Sequence, residues 1–324
     1  MKTKIVNENH VFKSNLGEYR IDRFPARNNE LLQGWNAADE YLIDYLSDNG
    51  HLSLDEKILI CNDSFGALAV ALHQFQVYSW SDSWISHQAT LLNYQSNDID
   101  DSNLQLIDRL HLPDLAFTTV IIKVPKVLAL LEFQLIKIAP LINDTCQVVV
   151  IGMIKNMPPN VWKLLEKYLG ETQTSLAKKK SRLIFVKRDS SIHLTKNPYP
   201  TVFKLENTKF EISNHANLFS RQSLDIGTRF FLEHLPNMTK AKNIVDLGCG
   251  NGVLGLMAAH KIQEATIHFF DESYMAIDST KTNFSAAFND RDATYHVGDG
   301  LSDFAENNID LILCKNTTLL KMVA

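Results

Sequence analysis

Short apolar runs ending in polar or glycine-containing breaks alternate along this chain with longer apolar stretches of helical character. Residues 58–61 (Ile-Leu-Ile-Cys) read as a buried strand that breaks at Asn62-Asp63-Ser64-Phe65-Gly66 into a helix over 67–72. A short strand at 77–80 ends in Asp82-Ser83, and one at 118–122 is followed by Lys123-Val124-Pro125-Lys126. A helix over 127–138, a strand over 147–151, a helix over 161–169 and a strand over 181–186 continue the series. Strands alternating with helices in this way predict a mostly parallel, doubly wound α/β sheet.

The pattern then starts again. Asn197-Pro198-Tyr199-Pro200 forbids a helix and favours extended backbone, which puts a join at 195–201 between a first domain, 1–195, and a second, 201–324. Strands at 202–205 and 210–212 flank a turn at Asn207-Thr208, and a helix over 230–234 is expected to end at Pro236. Residues 244–259 repeat the strand, turn and helix of 58–72; strands at 266–270, 293–297 and 309–314 follow. Both halves read as one fold used twice.

The second turn carries chemistry that the first lacks. Ile244-Val-Asp246-Leu-Gly248-Cys-Gly250-Asn-Gly252 places three glycines at alternate positions after a buried strand. Glycine permits positive φ and close approach of a ligand to the backbone, and a new helix offers unpaired N–H groups. A dinucleotide fingerprint would need glycine at 253, where this chain has Val253, so a nicotinamide dehydrogenase is disfavoured. The pattern Asp-x-Gly-x-Gly-x-Gly resembles instead the first motif of the class I S-adenosylmethionine methyltransferases. That resemblance implies that Asp246 helps to hold the methionine end of the cofactor and that Asp299 stands beside its adenine. Asp271 can take two ribose hydroxyls. The three acids are expected at strand ends lining one crevice; Asp299 reads equally well as an ordinary loop or cap carboxylate.

Composition narrows the rest. With 324 residues, 45% of them hydrophobic, two cores can form. The polar start and the lack of any long apolar run predict a cytoplasmic protein without a membrane span. Cys61, Cys146, Cys249 and Cys314 are far apart, and no histidine pair has ligand spacing, so neither disulfides nor a metal site is expected. A net charge of -5 argues against broad nucleic-acid binding, but Lys178-Lys179-Lys180, Arg182 and Lys187-Arg188 form a basic run. Solvated face and phosphate contact are equally good readings of it. With Lys123 and Lys126 it motivates the hypothesis that the first domain is an RNA-holding platform. Only Gly66 stands where the second turn has three glycines, so this domain is expected to have lost the cofactor.

Taken with Arg23-Phe24-Pro25-Ala26, Ala37-Ala38-Asp39-Glu40-Tyr41, Lys123-Val-Pro-Lys126 and the segment 216–229 that contains Phe219 and Asp225, these motifs resemble the ribosomal RNA large subunit methyltransferase G family over the whole chain. The resemblance implies two tandem class I methyltransferase-like (Rossmann-like) sheets, the second incomplete, with an inert first copy. It implies a catalytic second copy that methylates the exocyclic N2 of a guanine in 23S rRNA. It also places Phe219 and Asp225 near the mouth of the site; as sequence, Asp225 could equally cap a helix. Relatives carry Asn-Pro-Pro-Phe directly after the fourth strand, whereas here Cys314 is followed by Lys315-Asn316-Thr317-Thr318-Leu319, so no catalytic residue can be named. A frameshift that replaced the C-terminus would account for this, leave Lys315 unexplained, and expose an apolar sheet edge. The expected second domain is then marginal and inactive. Two classes stay open: an rRNA guanine-N2 methyltransferase, with a small-subunit (16S) target as an alternative, and a non-catalytic RNA-binding remnant.

Overall fold

A computed structural model describes residues 8–315 except 28, 49–51, 54, 109, 194–195, 236–239, 290, 303 and 305–307. The chain divides into two compact units, Met1–Asn197 and Pro198–Ala324. The expected helix end at Pro236 lies outside the described residues.

The first unit opens with a hairpin, β1 (Val11–Ser14) and β2 (Gly17–Arg20), followed by α1 (Ala37–Asp48). Its main elements are β3 (Lys57–Cys61), α2 (Ala67–Ala71), β4 (Gln76–Trp80), α3 (Trp84–Ser96), β5 (Leu104–Ile107), β6 (Thr119–Lys123), α4 (Leu128–Ile138), β7 (Gln147–Met153), α5 (Asn160–Tyr168), β8 (Thr172–Thr174) and β9 (Ser181–Val186). The strands form one seven-stranded sheet in the order β5-β4-β3-β6-β7-β9-β8. The first five are parallel; β9 turns back against β7, and β8 pairs antiparallel to it. Strands buried on both faces read as unbroken apolar runs, which is why Ile58, Leu59 and Ile60 in β3 and Val120, Ile121 and Ile122 in β6 are fully buried.

The second unit repeats the plan. A hairpin, β10 (Thr201–Lys204) and β11 (Glu211–Asn214), precedes α6 (Ile226–Glu233), β12 (Asn243–Leu247), α7 (Val253–Lys261), β13 (Thr266–Asp271), α8 (Tyr274–Phe288), β14 (Ala293–Val297) and β15 (Leu311–Cys314). Its parallel sheet runs β14-β13-β12-β15, the same order as β5-β4-β3-β6. Ile244, Ile267, Phe269 and Phe284 centre its core. Among the described residues β15 is an edge: Ile312 is 47% exposed, whereas Val120 at the matching place in β6 is 0% exposed.

One asparagine marks the duplication. In α8, Asn283 accepts a hydrogen bond from the Ser213 N–H at 2.7 Å and donates to the carbonyls of Ser213 at 3.0 Å and Asn251 at 2.9 Å. In α3, Asn93 accepts from the Asp22 N–H at 2.9 Å and donates to the carbonyls of Asp22 at 2.9 Å and Phe65 at 2.8 Å. Each side chain thus ties a helix both to the hairpin segment and to the turn after the central strand.

Candidate active site

The turn after β12 is shaped by its glycines. Gly248, Gly250 and Gly252 have φ of 66°, 58° and 77°, the left-handed region that other residues adopt at a cost. Their surroundings differ. A Cβ on Gly252 would sit 2.7 Å from the Thr280 side chain, so this glycine serves helix packing; a Cβ on Gly248 or Gly250 would meet nothing within 4 Å. The open space therefore lies above the first two. The turn is held by the Phe270 carbonyl, which accepts from Gly248 N at 2.8 Å and Cys249 N at 3.0 Å, and by Thr280 Oγ1, which donates to the Gly250 carbonyl at 3.0 Å.

The three predicted acids occupy three different settings. Asp271, at the end of β13, accepts from Gly250 N at 2.9 Å and Ser273 N at 3.0 Å, and its burial raises its pKa. Asp246 lies inside β12, is 1% exposed, and accepts from Gly255 N in α7 at 2.7 Å. Burial pushes its carboxyl up to about 7; the Gly255 bond opposes this and the charge of Asp271 adds to it. Asp299, beyond β14, lines a cavity of about 320 Å³ with Phe270, His296 and Phe304. There the rings of Phe270 and His296 stack at 4.3 Å, and Phe270 meets Phe304 edge-on at 4.8 Å. A single crevice lined by all three acids was expected; in the structure Asp299 lines this cavity, Asp271 bonds to the Gly250 turn and Asp246 bonds to the start of α7. The turn begins only after Leu247, so the side chain of Asp246 is still directed at the helix packed on its strand.

A second cavity, of about 410 Å³, lies between Gly248, Cys249, Gly250 and Asn251 on one side and Leu218, Phe219, Asp225, Thr228 and Lys315 on another. Asp225 caps α6, accepting from Gly227 N at 3.0 Å and Thr228 N at 3.1 Å. Burial pushes its pKa up, but the bonds from Lys315 and Thr228 outweigh this and hold the carboxyl below its ordinary range. Lys315 Nζ donates to Asp225 Oδ1 and, at 2.8 Å, to Thr228 Oγ1; it also stands 5.8 Å from the Phe219 ring centre. Sequence reasoning left Lys315 without a role, and no local pattern links it to Asp225. The cap spacing of Asp225 and Thr228 was the available signal. Cys249 is buried, and burial pushes its thiol pKa well up. Residues 316–324, where the Asn-Pro-Pro-Phe segment was sought, lie outside the described residues.

Comparison with known proteins bears on this site. The family model described as the RLMG N-terminal domain matches residues 9–190, and that of the methyltransferase small domain matches 209–316. The chain is 41% identical over 305 residues to ribosomal RNA large subunit methyltransferase G of Ectopseudomonas mendocina, covering 94% of this chain and 81% of that protein. The chain belongs to the ribosomal RNA large subunit methyltransferase G family. A second member, from Aeromonas salmonicida, is 44% identical over 294 residues, with 90% and 78% covered. Among solved structures, the T. thermophilus 16S rRNA N2 G1207 methyltransferase in complex with AdoMet and guanosine superposes with a TM-score of 0.68 at 14% identity, covering 94% of this chain and 80% of that one. That likeness shows the α/β methyltransferase fold, in which both doubly wound sheets of this family member are built.

The first unit of this family member fills the equivalent turn with side chains. Asn62 has φ of 65° and Gly66 of 73°, matching Gly248 and Gly252, and a Cβ on Gly66 would lie 2.6 Å from Thr90 as one on Gly252 would from Thr280. Ile60 takes the place of Asp246. The carboxylate that caps the helix comes instead from Asp63, which accepts from Leu68 N at 2.9 Å and Ala69 N at 3.1 Å. Lys123 lies 2.6 Å from Asp39 and 3.2 Å from Asp63, both carboxylates fully buried. Burial alone would lower the pKa of Lys123; the two carboxylates reverse this and keep it protonated. The expectation that Lys123 contacts RNA is therefore corrected: buried acids already hold its charge. In the basic run, Lys178 pairs with Asp44 at 2.8 Å and Lys179 with Glu40 at 2.6 Å.

Proposed function

We propose that the second unit binds S-adenosylmethionine and methylates the exocyclic N2 of a guanine in 23S rRNA. The observation that carries this reading is the bare space over Gly248 and Gly250. A cofactor can lie directly on the backbone there, with Asp271 beside it as acceptor for the ribose hydroxyls. Asp299, with Phe270 and Phe304, is assigned to the adenine; Gly248, Gly250 and Gly252 to the backbone path along the cofactor. Asp246 is assigned to the methionyl end, and its bond to Gly255 also fixes the start of α7. When bound, the cofactor supplies an electrophilic methyl group on a sulfonium.

The chain's own task is to hold the acceptor. The lone pair of the guanine amine is delocalised into the ring, so hydrogen-bond acceptors must orient it and exclude water. Phe219, on the rim of the larger cavity and 76% exposed, is available to stack a base taken out of the RNA. Lys126, Lys180 and Lys187 are exposed on the first unit, and we assign that unit to holding RNA. The family members named above are large-subunit enzymes, which favours 23S rRNA over the 16S alternative.

Calorimetry tests the cofactor and mass spectrometry of rRNA nucleosides tests the reaction. S-Adenosylmethionine is expected to bind, more weakly after Asp271→Ala, and N2-methylguanine to form in unmethylated 23S rRNA. Binding of a dinucleotide in its place would end the reading. Cofactor and RNA binding without methyl transfer would leave the non-catalytic remnant.

A further inference from the structure

The two units share a feature that the cofactor reading does not use. Cys314 pairs with Leu247 at the end of the central strand β12, and Lys315 is the next residue; Ile122 pairs with Cys61 at the end of β3, and Lys123 is the next residue. Each lysine turns to an aspartate at the N-terminal end of the helix that precedes the central strand, Asp225 for Lys315 and Asp39 for Lys123. In the first unit, which carries side chains where a cofactor would lie, the lysine bridges two buried acids. In the second, the same lysine lines the cavity shared with Gly248 and Gly250.

We propose that Lys315 is a resident cation of the second cleft, standing in for the positive charge of the sulfonium and weakening the site's preference for S-adenosylmethionine over S-adenosylhomocysteine. The inference rests on the cofactor reading given above. The two ligands share one skeleton and differ in charge at sulfur: one is a sulfonium, the other a neutral thioether. An ammonium has donors and no acceptor, so Lys315 cannot bond to the sulfonium and only repels it. Asp225 would attract that charge, but Lys315 neutralises it. The side chains of the pair are only 17% and 19% exposed, so water screens them incompletely. Removing the ammonium leaves Asp225 still bonded to Gly227 N, Thr228 N and Thr228 Oγ1, hence fixed in place and negative.

The test is the ratio of the two affinities, measured by calorimetry on the full chain and its variants. Lys315→Met is expected to shift the ratio toward S-adenosylmethionine by about tenfold, the order of effect of removing one like charge from a partly solvated cleft. Lys315→Arg keeps the wild-type ratio. Adding Asp225→Asn to Lys315→Met takes back part of the gain. Lys315→Gln serves if the methionine variant does not fold, with the same expected direction. Equal weakening of both ligands would mean that Lys315 grips a part common to them, such as the methionyl carboxylate, and would overturn the proposal. An unchanged ratio, or a shift toward S-adenosylhomocysteine, would overturn it too. If no protein in the set bound either ligand, the cofactor reading would fail and this inference with it.

Discussion

Residues 62–66 and 248–252 trace the same turn with different fillings. In one, Asn62, Asp63, Ser64 and Phe65 supply side chains, and Asp63 bonds to the helix that follows. In the other, glycine at 248 and 250 leaves bare backbone, and the acid has moved back into the strand as Asp246. The Asn93 and Asn283 clamps, the left-handed glycines 66 and 252, and the sheet order are common to both. Architecture is thus retained where it serves packing, and the differences gather where a ligand would touch.

Substitutions can break or sharpen that comparison. The largest effect is expected from Lys123→Met, which leaves Asp39 and Asp63 buried without their cation and should destabilise the first unit by about 3–5 kcal/mol. Chemical denaturation would show one transition moving and the other unchanged. Next, Asn283→Ala removes three hydrogen bonds in the second unit and Asn93→Ala the matching three in the first. Each should cost roughly 2–4 kcal/mol in its own unit, and a large inequality would weaken the claim of equivalent clamps.

Gly248→Asn copies Asn62 into the second turn. Asparagine tolerates the left-handed backbone, so stability should change by less than about 1 kcal/mol, while the side chain enters the ligand space and lowers S-adenosylmethionine affinity by about 30-fold. Unchanged affinity would show that the ligand lies elsewhere. The smallest effect concerns Asp246→Asn. The folded state holds the proton of Asp246 up to about 7, against an ordinary value of 3.8. Its contribution to stability is therefore full below about 3.8 and is lost as pH rises through about 7. Without ligand, the asparagine variant should gain on the wild type by about 1–2 kcal/mol between about pH 5.5 and pH 8, visible as converging or crossing melting temperatures.

What could be read beforehand was local. Gly248, Gly250, Gly252 and Asp271 announce themselves because a turn and the end of the next strand are short contiguous patterns, and the parallel strands are apolar runs. The buried faces of α3 and α8 escaped notice because they carry Ser86, Thr90 and Asn93, and Ser279, Thr280 and Asn283, residues that periodicity counts as solvent-facing. The β1–β2 hairpin was missed because Phe12 and Tyr19 turn inward among polar neighbours, too few to set an alternation. Lys123 and Lys315 were misread or unread for another reason. A lysine after a strand means solvent unless topology brings an acid from a distant helix beside it, and that acid is visible only once the sheet is assembled.

The equivalent helix-end N–H is served in the two units by acids from different places in the chain. Helices α2 and α7 each take a carboxylate at an early backbone N–H, from Asp63 in one and Asp246 in the other, and these side chains approach from different points along the chain. Converting one arrangement into the other passes through a protein with two acids crowding one helix end or with none. Each acid therefore works only with its own turn: adding one without removing the other leaves two carboxylates competing for one helix-end N–H.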